Sequence, residues 1–224
     1  IDAGKRLPLT DTVIFSLEKE TIPYWNKFLQ GYYDASGISS DSFDQAISFS
    51  FGGDLGLSEN LKQRGISLQT AITTSSYYLG FNMLDKVVGG SSEQTRKLRQ
   101  AISIAVDYEE YISIFQNGRG IPAQSIIPPG IFGHLDGENG INPVVYNWQN
   151  GPVRRSIADA KKLLTEAGYP NGKHLLTGEP LILYLDTMDS GPDSKSRLNW
   201  LRKQFNKLNI QLLFRATDYN RFQE

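Results

Sequence analysis

The chain holds two histidines, His134 and His174, and no cysteine. Thiolate nucleophiles, disulfides and thiolate metal ligands are excluded at once. The two imidazoles lie far apart in sequence and lack the i, i+4 pairing that puts two ligands on one helix face, so neither is expected to hold a metal. A serine triad needs its nucleophile on a sharp turn, and no G-x-S-x-G occurs. The glycine-rich pieces FGGDLG and VGGSS match neither the phosphate-loop nor the dinucleotide spacing and read as turns. Neighbouring acids such as Glu109-Glu110, or Asp186 with Asp189, are the residue types of glycoside hydrolysis, yet acids at helix starts usually cap or are solvated. No catalytic residue, metal site or cofactor emerges, and the expectation is a protein that is not an enzyme.

One aspartate needs a decision. In LRQAISIAVDYEEYI, Leu98 to Ile112, Asp107 separates two apolar runs of helical period. Leu98, Ala101, Ile102, Ala105 and Val106 form one stripe; Tyr108, Tyr111, Ile112 and Phe115 form the next, ended by Asn117-Gly118. Asp107 is therefore expected to start the second helix by accepting backbone N–H groups, with Ser91 and Gln94 forming a capping box before the first.

The other elements follow from periodicity. LTDTVIFSLE alternates through Val13, Phe15 and Leu17 as a strand, then TIPYWNKFLQGYYD turns helical through Ile22, Trp25, Phe28, Leu29 and Tyr32. Ser58 caps a short segment ended by Gly65. ISLQTAI and SYYLGFNML read as two strands, the second with Tyr77, Leu79, Phe81 and Met83 on one face. Asn117 to Pro152, dense in Gly, Pro and Asn, reads as a long ordered loop. Ser156 and Asp159 open a helix carrying Ala160, Leu163, Leu164 and Ala167 inward, closed by Gly168. Strand LILYLD, a helix from Asp193 to about Leu208 and strand IQLLFRA make a β-α-β unit, whose helical crossover dictates parallel strands and an α/β class. Ligands in such sheets sit beyond the carboxyl ends of the strands, here the loop from Asp186 to Ser194. Tyr77, Tyr78, Phe81, Phe132, Tyr146 and Trp148 could line a cleft, although for each the core is the commoner place.

At 224 residues and 39% hydrophobic the chain can bury a core, and its net charge of −1 offers no basic field for nucleic acid. No apolar run nears the roughly 18 to 20 residues needed to cross a bilayer, so the chain is not itself membrane-spanning.

YYLGFNM, RKLRQAISIAVDYEEYISIFQNGRGIPAQSIIPPG and SIADAKKLLTEAGYPNG, in this order, resemble the extracellular solute-binding proteins of family 5, receptors of peptide and nickel ABC importers. The second stretch is the most specific, and the opening RLPLTDTVIFSLEKETIPYWNKFLQGYYD is similar to the segment entering the family's C-terminal lobe. LDKVVGGSSEQT departs from the proline-containing lead common before the arginine helix, which affects only the local turn. The resemblance implies an α/β, periplasmic binding protein-like lobe of the class II clamshell type, a mixed sheet flanked by helices. Residues 1–224 would form most of the C-terminal lobe, with the N-terminal lobe and the C-terminal end outside the chain. Arg99 is expected to pair with a neighbouring acid.

The function so implied is the substrate-binding component of an ABC importer. It would bind an oligopeptide or related small solute between two lobes, in the periplasm or extracellular space, and hand it to the permease transmembrane subunits. Ligand contacts are expected from Thr187, Asp189 and Ser190, and from Tyr78 and Asn82. The alternative is a ligand-sensing domain of a transcription regulator with the same fold.

Overall fold

The computed structural model describes residues 4, 6, 8–18, 20–49, 55–188, 192–218 and 220. Two units pack separately, residues 1–70 and 71–224.

In the first unit, α1 (Thr21–Leu29) forms where helical spacing begins, and Gly31, at φ +83°, turns the chain after it. A side chain at that φ would be strained, which is the reason for glycine there. α2 (Phe43–Ala46) leads into β1 (Ile47–Phe49), which pairs antiparallel with β2 (Leu55–Leu57); α3 (Glu59–Gln63) follows. Trp25, Ala46, Leu57 and Leu61 close a small core. Ser58 sits at the α3 N-cap, but its hydroxyl donates to the Gln45 carbonyl (3.2 Å) instead of capping the helix. The strand expected through Val13, Phe15 and Leu17 is absent: this segment is irregular, without a ladder partner among the described residues, and all three side chains face solvent. Alternation alone does not make a strand when no neighbour supplies hydrogen bonds.

The second unit contains α4 (Glu93–Ala105), α5 (Tyr108–Gln116), an antiparallel hairpin of β3 (Tyr146–Trp148) and β4 (Pro152–Arg154), α6 (Ile157–Glu166), β5 (Ile182–Met188), α7 (Pro192–Asn206) and β6 (Gln211–Thr217). β5 and β6 run parallel with Leu183 opposite Leu212 and Thr187 opposite Ala216. The expected β-α-β unit is present, within a residue or two of its expected ends. The described strands form three two-stranded sheets, two antiparallel and one parallel.

The α4 stripe is buried as its period requires. Leu98, Ala101, Ile102 and Ala105 pack with Ala160 and Leu164 of α6, Phe205 of α7, and Leu183 and Leu212 of the sheet. Alanines on both helices let α4 and α6 approach closely, since interaxial distance follows side-chain size. Lys97 then reaches across to Glu166 at 3.0 Å.

Three expectations need correction. The α4 cap is Ser92, not Ser91; its hydroxyl accepts the Thr95 N–H (3.2 Å), and the Thr95 hydroxyl donates to the Ser92 carbonyl (3.1 Å), so a serine cap replaces the expected box. ISLQTAI and SYYLGFNML contain no strand. Leu79 and Phe81 pack against the core while Tyr77 and Met83 face solvent, so the alternation records two anchors in an irregular segment. The 117–152 loop is interrupted by a 3-10 turn at Gly137–Asn139 and by the β3–β4 hairpin.

Asp107 behaves as its type and position predict, accepting the Glu110 N–H at 3.0 Å, while Asn117 ends α5 in the left-handed conformation. Asp107→Ala is expected to cost about 1 kcal/mol, the usual worth of an N-cap, with Asp107→Asn largely neutral. Urea denaturation of both variants checks it; equal losses would mean that charge rather than capping geometry matters. α6 shows the full reciprocal box, the Ser156 hydroxyl accepting from Asp159 N–H (3.2 Å) and the Asp159 carboxylate accepting from Ser156 N–H (3.0 Å). Hydrogen bonds from the Ser156 hydroxyl and backbone hold the Asp159 carboxyl below the ordinary aspartate range.

Candidate functional site at the strand ends

The carboxyl ends of β5 and β6 bring together a small polar group. Asp186 and Arg215 lie opposite each other in the register and form an exposed ion pair at 2.9 Å. The Arg215 guanidinium also lies over the Tyr184 ring, 5.0 Å from its centre. Thr187, one residue further, is half-buried, and its hydroxyl sits 3.4 Å from the Met188 carbonyl, a long contact easily exchanged for a ligand.

A second polar cluster is the turn over residues 82–90. The Asn82 side-chain oxygen accepts the Leu84 N–H (2.9 Å), and the Asp85 carboxylate accepts the Val87 and Val88 N–H groups at 2.7 and 2.9 Å. Those backbone donors hold the Asp85 carboxyl below its usual range, with a smaller pull from Arg215. Gly89 is required here: a Cβ would stand 2.4 Å from the Asp85 carbonyl oxygen. Arg99 anchors the turn by donating to the carbonyls of Val88 (2.6 Å) and Gly90 (3.0 Å). Its expected acid partner is thus replaced by two backbone oxygens, because the turn folds its carbonyls onto the α4 face.

Of the expected contacts, Thr187 lies at the end of β5 and Asn82 in the 82–90 turn. Asn82 keeps its amide N–H groups for other partners, since its oxygen is committed to Leu84. Tyr78 is 82% exposed, ahead of Leu79, which packs against the core. Asp189 and Ser190 lie outside the described residues. Among the suggested cleft aromatics, Tyr146 and Phe81 are taken by packing, whereas Tyr77, Tyr78, Phe132 and Trp148 are exposed. The group offers hydroxyl, amide and charged hydrogen-bonding functions, a chemistry of recognition. His134 is held by the Ile127 carbonyl (2.8 Å) and Asp136 (3.2 Å), and the His174 ring accepts the Thr177 N–H (3.3 Å). Among the described residues no three metal-ligating side chains cluster.

Sequence reasoning passed over a second polar centre. Arg154 donates to Glu109 (2.7 Å) and to the carbonyls of Ile104 (2.8 Å) and Val106, with Asp107 at 4.0 Å. Tyr146 donates to the same Glu109, and burial together with that carboxylate pushes its hydroxyl pKa well up. Beside it, the buried Gln204 of α7 accepts the Asp107 N–H (3.3 Å) and donates to Glu110 (3.0 Å).

Residues 3–224 match the family model described as Bacterial extracellular solute-binding proteins, family 5 Middle. The chain belongs to this family. Family 5 proteins are bacterial extracellular solute-binding proteins. Heme-binding protein A of Haemophilus influenzae is 36% identical over 76 residues, 34% of this chain and 12% of that protein. The DppA periplasmic binding protein of Helicobacter pylori, solved with peptide STSA, is 21% identical with a TM-score of 0.40, covering 59% of this chain and 22% of that one. The oligopeptide-binding protein AppA of Bacillus subtilis, solved with a nonapeptide, is 18% identical with a TM-score of 0.45, covering 64% and 26%. The chain thus spans well under a third of the length of these proteins. Among the described residues no helix is long and apolar enough to cross a membrane.

Proposed function

We propose that the chain supplies most of the C-terminal lobe of a two-lobed receptor that binds an oligopeptide or related small solute and delivers it to an ABC permease. The family match over nearly the whole chain carries this reading. The polar group at the β5–β6 carboxyl ends supports placing the solute there, because this is where open α/β sheets present ligands. Thr187, Asp189 and Ser190 would hydrogen-bond backbone-like groups of the solute, with further contacts from Asn82 and Tyr78. Binding and lobe closure are then coupled, since only the closed form brings both halves of the site onto the solute.

The test is calorimetric titration of the complete two-lobed protein with a di- to hexapeptide library, repeated with Thr187→Ala and Asp189→Ala. Saturable binding that weakens about tenfold in at least one variant is the expected result, the scale of a lost hydrogen bond to a charged group. A folded protein that takes no peptide would overturn the peptide assignment, and unchanged affinity in both variants would move the solute elsewhere.

A further inference from the structure

A second surface of the 71–224 unit carries a different chemistry. An open cleft of about 490 Å³ lies where the end of α4 meets the first turn of α6 and the end of α7. Its base includes Ile104 and Ala105, both already buried, and Ile157, which is 38% exposed. Arg154, Arg155, Lys161 and Lys207 line it, with Asp107 the single lining carboxylate.

Two of those cations are already answered. Arg154 is held by Glu109, and Lys207 by Glu110 at 3.6 Å. Arg155 and Lys161 have no ion pair among the described residues; Arg155 makes only a long contact with Asn147 (3.3 Å). Asp159, the nearest acid in sequence, is hydrogen-bonded to the Ser156 N–H and hydroxyl at 3.0 and 2.8 Å and draws on Arg155 only through space, without an ion pair. The positive end of the α6 dipole adds to the same field.

We propose that this cleft docks an acidic segment of a partner protein, two carboxylates flanking one apolar side chain. The carboxylates meet Arg155 and Lys161, and the apolar group covers Ile157. A free small anion is the weaker occupant: solvent-exposed ion pairs contribute little and are screened by salt, so retention requires the added apolar contact. The position favours a docking role as well. Lys207 precedes β6, so the cleft sits toward the amino ends of the strands, opposite the carboxyl ends where Thr187 lies. A partner bound there leaves the strand-end group uncovered, and the proposal holds whichever solute that group takes.

The experiment records backbone amide shifts of the isotopically labelled protein on titration with acetyl-Glu-Leu-Glu-Glu-amide. Acetyl-Gln-Leu-Gln-Gln-amide and sodium succinate serve as controls, each in low and high salt. Saturable, salt-sensitive shifts at residues 154–161 are expected with the acidic peptide alone, weakening about tenfold in Arg155→Gln/Lys161→Gln. Lys161→Gln by itself, altering one exposed side chain, gives a smaller loss and covers the case in which the double variant fails to fold. Equal binding of the neutral peptide overturns the proposal, as does unchanged affinity in the variants. Succinate binding as tightly as the peptide makes this a small-anion site instead. Shifts confined to residues near Thr187 report solute binding and count against docking; no saturable shift removes the docking site while leaving the solute reading intact.

Discussion

Replacing Arg154 by alanine is expected to lower the stability of the fold by about 3 kcal/mol, the scale of breaking a largely buried charge-assisted network. The guanidinium ties the β4 end to the α4–α5 corner, and its side chain is only 19% exposed. Its removal strands the carbonyls of Ile104, in the last turn of α4, and Val106, at its C-cap, where a helix leaves carbonyls without helical donors. It also leaves Glu109 with Tyr146 alone. Arg154→Lys is expected to recover little, because one ammonium cannot meet a carboxylate and two carbonyls in the geometry of a planar fork. Chemical denaturation checks both variants, and a loss under about 1 kcal/mol for Arg154→Ala would show that water replaces the guanidinium freely.

Gly172→Ala is expected to cost about as much, roughly 3 kcal/mol, by a different route. Gly172 is buried at φ +73°, and a Cβ there would lie 2.4 Å from the Asn209 carbonyl oxygen and 2.7 Å from its carbon. Neither neighbour can give way cheaply. The Gly172 carbonyl accepts the Leu181 N–H (2.8 Å), the Leu181 carbonyl accepts the Gln211 N–H (3.0 Å), and Asn209 is itself left-handed. A methyl group therefore pushes apart the turns that feed β5 and β6. Gly168→Ala separates the causes: its φ is +93° but nothing lies within 4 Å of the added carbon, so only backbone strain of about 1 kcal/mol is expected. Equal losses at the two positions would remove the close approach from the explanation.

The helices were legible because their signals are local. Ser156 and Asp159, or Asp107 and Glu110, sit three residues apart and interact directly, so type and spacing suffice. Ser91 and Ser92 offered the same signal one residue apart, and only the turn before them, held by Arg99, selects the second. The failed strands mark the limit of periodicity: Val13, Phe15 and Leu17 alternate as Leu183 and Leu185 do, yet only the latter have β6 to pair with. At the candidate site, Thr187 was reachable from the strand-end rule. Arg154 was not, since its partners lie 45 to 50 residues away and a pair of arginines before a serine carries no signal of its own.

The buried amide of Gln204 meets the Asp107 N–H across 97 positions of sequence and Glu110 across 94. A loop of that length closes at an entropic disadvantage and must close before the contact returns anything. The α4–α5 corner and the strand–helix–strand unit are therefore expected to assemble first and be locked together last. Once locked, an opening at either end leaves an amide or a backbone donor without its partner inside the core. The two ends of the chain segment then share a single cooperative unfolding unit.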